Sequence, residues 1–402
     1  AYDSDTHETS TRSYNGNMAY ATSYNRSGYG LRALDKSVKI TFGGDVSLSG
    51  AISLGATTSP LTDGAAVNIA RKFSKAMIEV AEGGSLTLGS SGISVNNTLI
   101  GNAGYLLINN RTLNVNLDSD WDYTGVIAGS GNLVNGGENT LTLSNTNTYT
   151  GDTTINAGTI KLTGSVNALT DLSIASGATL DLQSTQTFAT LDLDGTITRT
   201  ANTSALTITG ASDLGGGVTT SGTQTYTGAV TISNDITLTT TDNNITFNNT
   251  VRSDSSDAPK DLTINLDANS NGTSADLIIN GIVGGASLPL DVITITGDLD
   301  LNSSIGNSPG ATSITVSGDA NLGADVETTG TQTYSGAVTI SNDITLTTTD
   351  SNIIFGATID SDSAGSTRDL TLTLGSGSAS ITGIVGTTSL DVLTLNSSAS
   401  FA

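Results

Sequence analysis

A near-perfect internal duplication constrains this chain more than any other feature. Residues 222–245 read GTQTYTGAVTISNDITLTTTDNNI and residues 330–353 read GTQTYSGAVTISNDITLTTTDSNI, an offset of 108 with differences only at Thr227/Ser335 and Asn243/Ser351. The kinship spreads outward. ALTITG at 205–210 faces SITVSG at 313–318, KDLTINL at 260–266 faces RDLTLTL at 368–374, and LDVITI at 290 returns as LDVLTL at 390. Self-similarity at a fixed period marks a solenoid or an array of modules, whose units bury apolar surface only against their neighbours. The copies are expected at 205–312 and 313–402.

Inside each copy, AVTI, DITLTT, DLTINL and DVITITGDLDL alternate apolar residues with Thr, Ser, Asn or Asp. Alternation of period two with β-branched residues predicts short strands with one buried face. Sandwich modules and a β-solenoid both satisfy that pattern. Aromatic residues make up only 4% of the chain, too few to fill the thick core between two facing sheets, and this favours coils with a narrow aliphatic interior. The expected fold is all-β, a parallel β-helix (β-solenoid). Within AAVNIARKFSKAMIEV at 65–80, Val67, Ala70, Phe73 and Met77 fall at helical spacing, which predicts a short N-terminal capping helix.

Composition removes several functions. The 402 residues carry 14 bases against 37 acids, a net charge of -23, and such a balance argues against nucleic acid as a partner. No transmembrane segment is expected, because no stretch approaches the roughly 18 apolar residues a spanning helix needs. Cys is absent, which removes disulfides, thiolate metal sites and Cys nucleophiles together. His7 is the one imidazole, so Ser-His-Asp hydrolysis and His-ligated metals have no basis. The carboxylate pairs Asp118/Asp120, Asp254/Asp257 and Asp360/Asp362 are the residues a polysaccharide-cleaving enzyme would use, but on a β-helix such acids are ordinarily solvated loop residues. Asp118-Ser-Asp120-Trp-Asp122 begins like a calcium loop, yet Tyr123 and Gly129 stand where that loop requires Gly and Glu. No cofactor is expected; calcium in an acidic loop is the one candidate.

The segment from 129, GSGNLVNGGENTLTLSNTNTYTGDTTINAGTIKLTGS, has the skeleton Leu133, Gly137, Leu141, Leu143, Tyr149, Gly151, Ile155, Gly158, Ile160 and Leu162. Leu141, Leu143, Ile155, Ile160 and Leu162 alternate toward one interior, and Gly137, Gly151 and Gly158 sit where the chain must turn. This stretch closely resembles the passenger-associated repeat of autotransporter proteins, and QTYTGAVTI at Gln224 and QTYSGAVTI at Gln332 resemble more weakly the repeats of filamentous-haemagglutinin-like adhesins. The resemblance implies a right-handed parallel β-helix displayed outside the cell or on a bacterial surface. It places a β-helix with that repeat at 37–204, ahead of the two copies. One departure from the family is that nothing near residue 402 looks like the strands of an outer-membrane barrel.

Residues 1–36 form a separate arm in this reading. Through residue 75, eight bases meet six acids, while the remainder carries six bases against 31 acids. Five of the ten Tyr, namely Tyr2, Tyr14, Tyr20, Tyr24 and Tyr29, also lie there. A mildly basic, aromatic arm on an acidic body is suited to docking on a second copy, and the open strand edge at each end of a solenoid recruits another chain unless capped. The expectation is a non-enzymatic structural protein of an extracellular surface or matrix fibre, assembled head-to-tail as a homo-oligomer. Tyr14, Tyr20, Tyr24, Arg26, Tyr29, Arg32 and Phe401 are the candidate assembly residues. The alternatives are an adhesin passenger holding a polysaccharide or cell-surface ligand and a polysaccharide-cleaving β-helix.

Overall fold

The computed structural model describes residues 120–397, except 268–274, 285–286, 307–309 and 366, together with strands and a few adjoining positions between residues 13 and 115. Every named element among the described residues is a β-strand, and the named strands pair in parallel. The chain divides into two units, Ala1–Leu180 and Asp181–Ala402.

In the first unit, one sheet runs in the order Ser13–Asn15, Lys36–Gly43, Phe73–Val80, Tyr105–Leu107 and Val126–Ala128. One coil comprises Val126–Ala128, Asn132–Asn135 and Thr140–Leu143. Each strand lies in register on its counterpart in the coil below: Leu133 on Leu113, Leu141 on Trp121, Val126 on Tyr105. Parallel sheets usually need a helix layer to bury them. Here the other faces of the same coil cover the interior, so alternate residues point in and stay dry while Thr and Asn point out. Leu141, Leu143, Ile155, Ile160 and Leu162 are at most 1% exposed, as their alternation predicts. Full burial of such a side chain is worth about 1.5–3 kcal/mol. Tyr149 is fully buried as well, its hydroxyl 2.6 Å from Thr153 Oγ1. Gly158 has φ +59°, and a Cβ there would stand 2.3 Å from the Gly137 carbonyl oxygen of the preceding coil. The glycine skeleton therefore marks where coils touch backbone to backbone.

The expected capping helix is not formed where the structure describes that segment. Phe73–Val80 is a strand, in register with the earlier one at Ile40↔Ile78 and Phe42↔Val80. Pairing with a neighbouring strand overrides the helical spacing, and the β-branched Ile78 and Val80 favour it. The rest of the expected helix, 65–72, lies outside the described residues.

The second unit repeats a three-faced coil. Gln224–Tyr226 defines face 1, Val230–Ile232 face 2 and Ile236–Thr239 face 3. Face 1 is a nine-stranded sheet from Gln186–Phe188 to Ile359–Ser361. Face 2 continues above Val251–Ser253 through the single bridges Val251–Val283, Val283–Ile305 and Ile305–Val326.

The duplicated segments share their internal contacts but occupy different faces. Gln224 Nε2 donates to the carbonyls of Val218 (3.3 Å) and Thr239 (2.9 Å). Gln332 Nε2 donates to those of Val326 (3.1 Å) and Thr347 (2.9 Å). The Tyr226 ring stacks on Phe247 at 5.3 Å and Tyr334 on Phe355 at 5.6 Å. Gln224–Tyr226 nevertheless lies in the face 1 sheet, whereas Gln332–Tyr334 continues face 3 through Thr315↔Thr333. Val338–Ile340, the counterpart of the face 2 strand Val230–Ile232, stacks in face 1 on Ala320–Leu322. The 108-residue period thus spans four whole coils and two faces of a fifth. The three corners of the coil are alike enough to accept the same sequence.

Carboxylates and amides tie the corners. Asp235 Oδ1 accepts the Asp261 N–H at 3.0 Å, and Asp261 Oδ1 accepts that of Val292 at 3.0 Å. In the second copy, Asp343 accepts from Asp369 at 3.0 Å and Asp369 from Val392 at 3.1 Å. A charged acceptor on a backbone N–H makes a stronger bond than a neutral one. A good part of the acid content is therefore corner chemistry.

Replacing either buried glutamine, Gln224→Leu or Gln332→Leu, removes a donor shared by carbonyls of two coils and strips the Tyr226 or Tyr334 hydroxyl of its acceptor, and should cost about 1–3 kcal/mol. Amide exchange should speed up around residues 218–239 in the first variant and 326–347 in the second. Unchanged exchange in both would contradict the assignment.

Candidate functional site

Three surface features of the second unit are candidates for function. The first is an acid ladder on face 1, where Asp276 lies in register on Asp298 and Ile278 on Asp300. Asp298 Oδ1 accepts the Asp319 N–H at 2.8 Å, and Asp300 accepts Asn321 Nδ2 at 2.9 Å and Asn302 Nδ2 at 3.1 Å. Partial burial, reinforced by the carboxylates of Asp298 and Asp300, holds the Asp276 carboxyl above the usual carboxylate range. Asp298 is raised by partial burial and by Asp319, against the Asp319 N–H that lowers it. Like charges stacked one strand apart disfavour ionisation. Among the described residues, no group of three or more acids or His is placed to hold a metal ion.

The second feature is an uncharged stripe on face 3. Thr237, Thr263, Thr294, Thr315 and Thr333 lie in register on five successive coils. In-register Thr pairs stabilise a sheet across strands, and their outward hydroxyls and methyls leave a flat, neutral strip on an acidic protein.

The third feature is the last described coil. Val385 bridges Ile359 on face 1, and Leu393–Ser397 pairs with Leu370–Gly375. Its apolar side chains are uncovered: Ile384 is 65% exposed, Val392 47%, Leu393 42% and Val385 37%. Val283, the counterpart of Val385 in the first copy, is 2% exposed, because Ile305 lies over it. The same letters are core in one copy and surface in the other.

The predicted assembly residues lie largely outside the described residues. Of Tyr14 only the backbone is described, in Ser13–Asn15, where it pairs with Phe42 of its own chain. Tyr20, Tyr24, Arg26, Tyr29, Arg32 and Phe401 lie outside the described residues. The carboxylate pairs are drawn into local bonds. Asp360 accepts the Thr387 hydroxyl and the Thr388 N–H, which hold it below the usual range. Asp362 is lowered by Arg368, whose Nε and Nη2 reach its two oxygens at 3.0 and 3.1 Å. Both shifts run opposite to that of the raised acid glycosidic cleavage uses. Asp254 accepts the Ser253 hydroxyl at 3.5 Å and the Asp257 N–H donates to Ser255 Oγ at 3.3 Å. In the calcium-like segment, Asp120 Oδ1 accepts the Thr140 N–H at 2.8 Å and Asp122 accepts the Ser144 hydroxyl, while Asp118 is outside the described residues. The sequence reading missed the corner role of these acids. Its signal was an Asp directly before an apolar strand residue, as in Asp235-Ile236, Asp261-Leu262, Asp343-Ile344 and Asp369-Leu370.

The passenger-associated-transport-repeat family matches residues 128–162, the stretch that supplies the well-packed coils of the first unit. Neither a curated protein nor a solved structure matches the chain. The repeat and the stacked parallel strands together fit an autotransporter passenger-like β-helix. Among the described residues no helix is long and apolar enough to cross a membrane.

The acid ladder sets a pH response. A carboxyl whose folded pKa is raised binds its proton more tightly in the folded state, so its stabilising effect is full in acid and is lost as pH rises through the folded pKa. Asp276→Asn should therefore stabilise the protein at neutral pH, with the gain vanishing below the ordinary carboxyl range. Thermal unfolding of both proteins across that window checks it, and a gain that persists in acid would point to another cause.

Proposed function

We propose that this chain is a non-enzymatic, extracellular β-helical passenger whose last coil joins a second copy head-to-tail, making it the subunit of a surface or matrix fibre. The passenger-associated repeat and the coil architecture support display outside the cell. The contrast between Val283 and Val385 supports a surface on which one more coil of the same width and register packs, burying Ile384, Val385, Val392 and Leu393, and in the fibre reading a second copy supplies that coil. A strand edge with apolar side chains beside it is a template for further pairing. Asp391 stands one residue before Val392, as Asp369 stands before Leu370, ready to accept an incoming N–H. Arm donation demands more, because Ser13–Asn15 already pairs within its own chain and would have to exchange between copies.

The second reading, an adhesin passenger that binds its ligand as a monomer, draws on the neutral Thr stripe of face 3. Electron microscopy of the purified chain separates the two. The fibre reading expects filaments that form with rising concentration and are lost in Leu393→Lys with the coil signature of the circular dichroism spectrum intact. Particles of single-chain mass at every concentration would overturn it and leave the adhesin.

A further inference from the structure

The corner between faces 1 and 2 carries an amide ladder. Asn280 Nδ2 donates to Asn248 Oδ1 at 2.9 Å, and Asn302 Nδ2 donates to Asn280 Oδ1 at 3.2 Å. The middle member is exposed and is followed by Gly281. That glycine is dictated by packing, since a Cβ there would stand 2.1 Å from the backbone carbon of Asn249 in the coil below. The Asn280 N–H donates to Phe247 O at 2.9 Å, whereas the Gly281 N–H has no hydrogen-bond partner among the described residues.

We infer that Asn280 is a site of spontaneous covalent modification that uncouples this corner. The Gly281 nitrogen, on losing its proton to hydroxide, bonds to Asn280 Cγ, and the Cγ–Nδ2 bond breaks to release ammonia. The resulting five-membered imide then takes up water at either carbonyl, giving aspartate or isoaspartate. Water is the only co-reactant and no electrons change hands. Either product replaces the donor facing Asn248 with a carboxylate oxygen and adds a negative charge beside the Asp298/Asp300 column. Isoaspartate also lengthens the backbone by one methylene at the end of Asp276–Ile279, where the rung must stay in register to reach the Val251–Val283 bridge.

Two positions in the same molecule serve as controls. Asn135 is also followed by glycine, but it is 1% exposed, its Nδ2 is bonded to Ala157 O at 2.8 Å, and the Gly136 N–H donates to Val115 O at 2.9 Å. Both amides are hydrogen-bonded, but at Asn135 the electrophile is buried from water and the glycine nitrogen is held by a backbone carbonyl. In the second copy the corner TGIVG places Thr382 at the position of Asn280, with its N–H on Phe355 O at 3.0 Å and Gly383 packed on Ala357. The backbone geometry is repeated and no amide is present to cyclise.

The experiment is to incubate the folded, full-length chain at mildly acidic and mildly alkaline pH, then map peptides by mass and by an isoaspartate-specific methyltransferase. Conversion at Asn280 should outpace that at Asn135 several-fold and accelerate with pH. In the denatured chain the two should react alike. Asn280→Thr, which copies Thr382 of the second copy, should abolish the product; if that variant fails to fold, Asn280→Gln serves the same purpose. Limited proteolysis should find new cleavage near residues 280–284 only in the aged wild type. Equal rates at Asn280 and Asn135 in the folded chain, or no conversion at Asn280, would overturn the inference.

Discussion

Everything in this molecule depends on the transfer of backbone hydrogen bonds from one coil to the next. The Gln224 N–H reaches Asn244 O at 3.1 Å, that of Val230 reaches Thr250 O at 2.8 Å and that of Ile236 reaches Asp261 O at 3.1 Å, so all three faces of a coil are held by the coil that follows. A buried peptide group without a partner is costly, and strands this short find their backbone partners in the coils on either side. The narrow interior follows from the same constraint. Strands stacked in register bring like residue over like residue, and aliphatic columns fill the space with few aromatics.

The acid content has a structural meaning that composition alone hides. Asp235, Asp261, Asp343 and Asp369 are acceptors for N–H groups one coil away, each at a corner where the ladder is interrupted. Partial burial, with neighbouring carboxylates, makes Asp276 and Asp298 hold their protons more tightly, although Asp298 also accepts the Asp319 N–H of the next coil. One surface thus carries carboxylates that fasten coils and carboxylates strained by burial and like charge, with Asp298 doing both.

Much of the fold was legible in the sequence, because period-two alternation and a duplicated segment leave few architectures. The inward set Leu141, Leu143, Ile155, Ile160 and Leu162 could be read from alternation alone. Phe73–Val80 was misread because the same residues satisfy a helical spacing and a strand alternation, and only the partner strand at Lys36–Gly43 decides between them. The candidate surfaces were far less legible. LDV is buried or half-buried at 290–292 and exposed at Val392, since exposure depends on what lies over a coil and not on the coil's own letters. The face on which each duplicate sits was likewise hidden, because corner lengths set it and the corners differ in length.

The two faces left over from four whole coils have an evolutionary consequence. Residues 222–245 and 330–353 are close enough in sequence for recombination to add or remove one unit of 108 residues. Each such event adds or removes one whole glutamine corner with its aromatic stack and leaves the others intact, yet it turns all that follows by a third of a revolution. A stripe that looked toward one neighbour then looks toward another, so a single genetic slip re-aims an entire surface without disturbing the shaft that carries it.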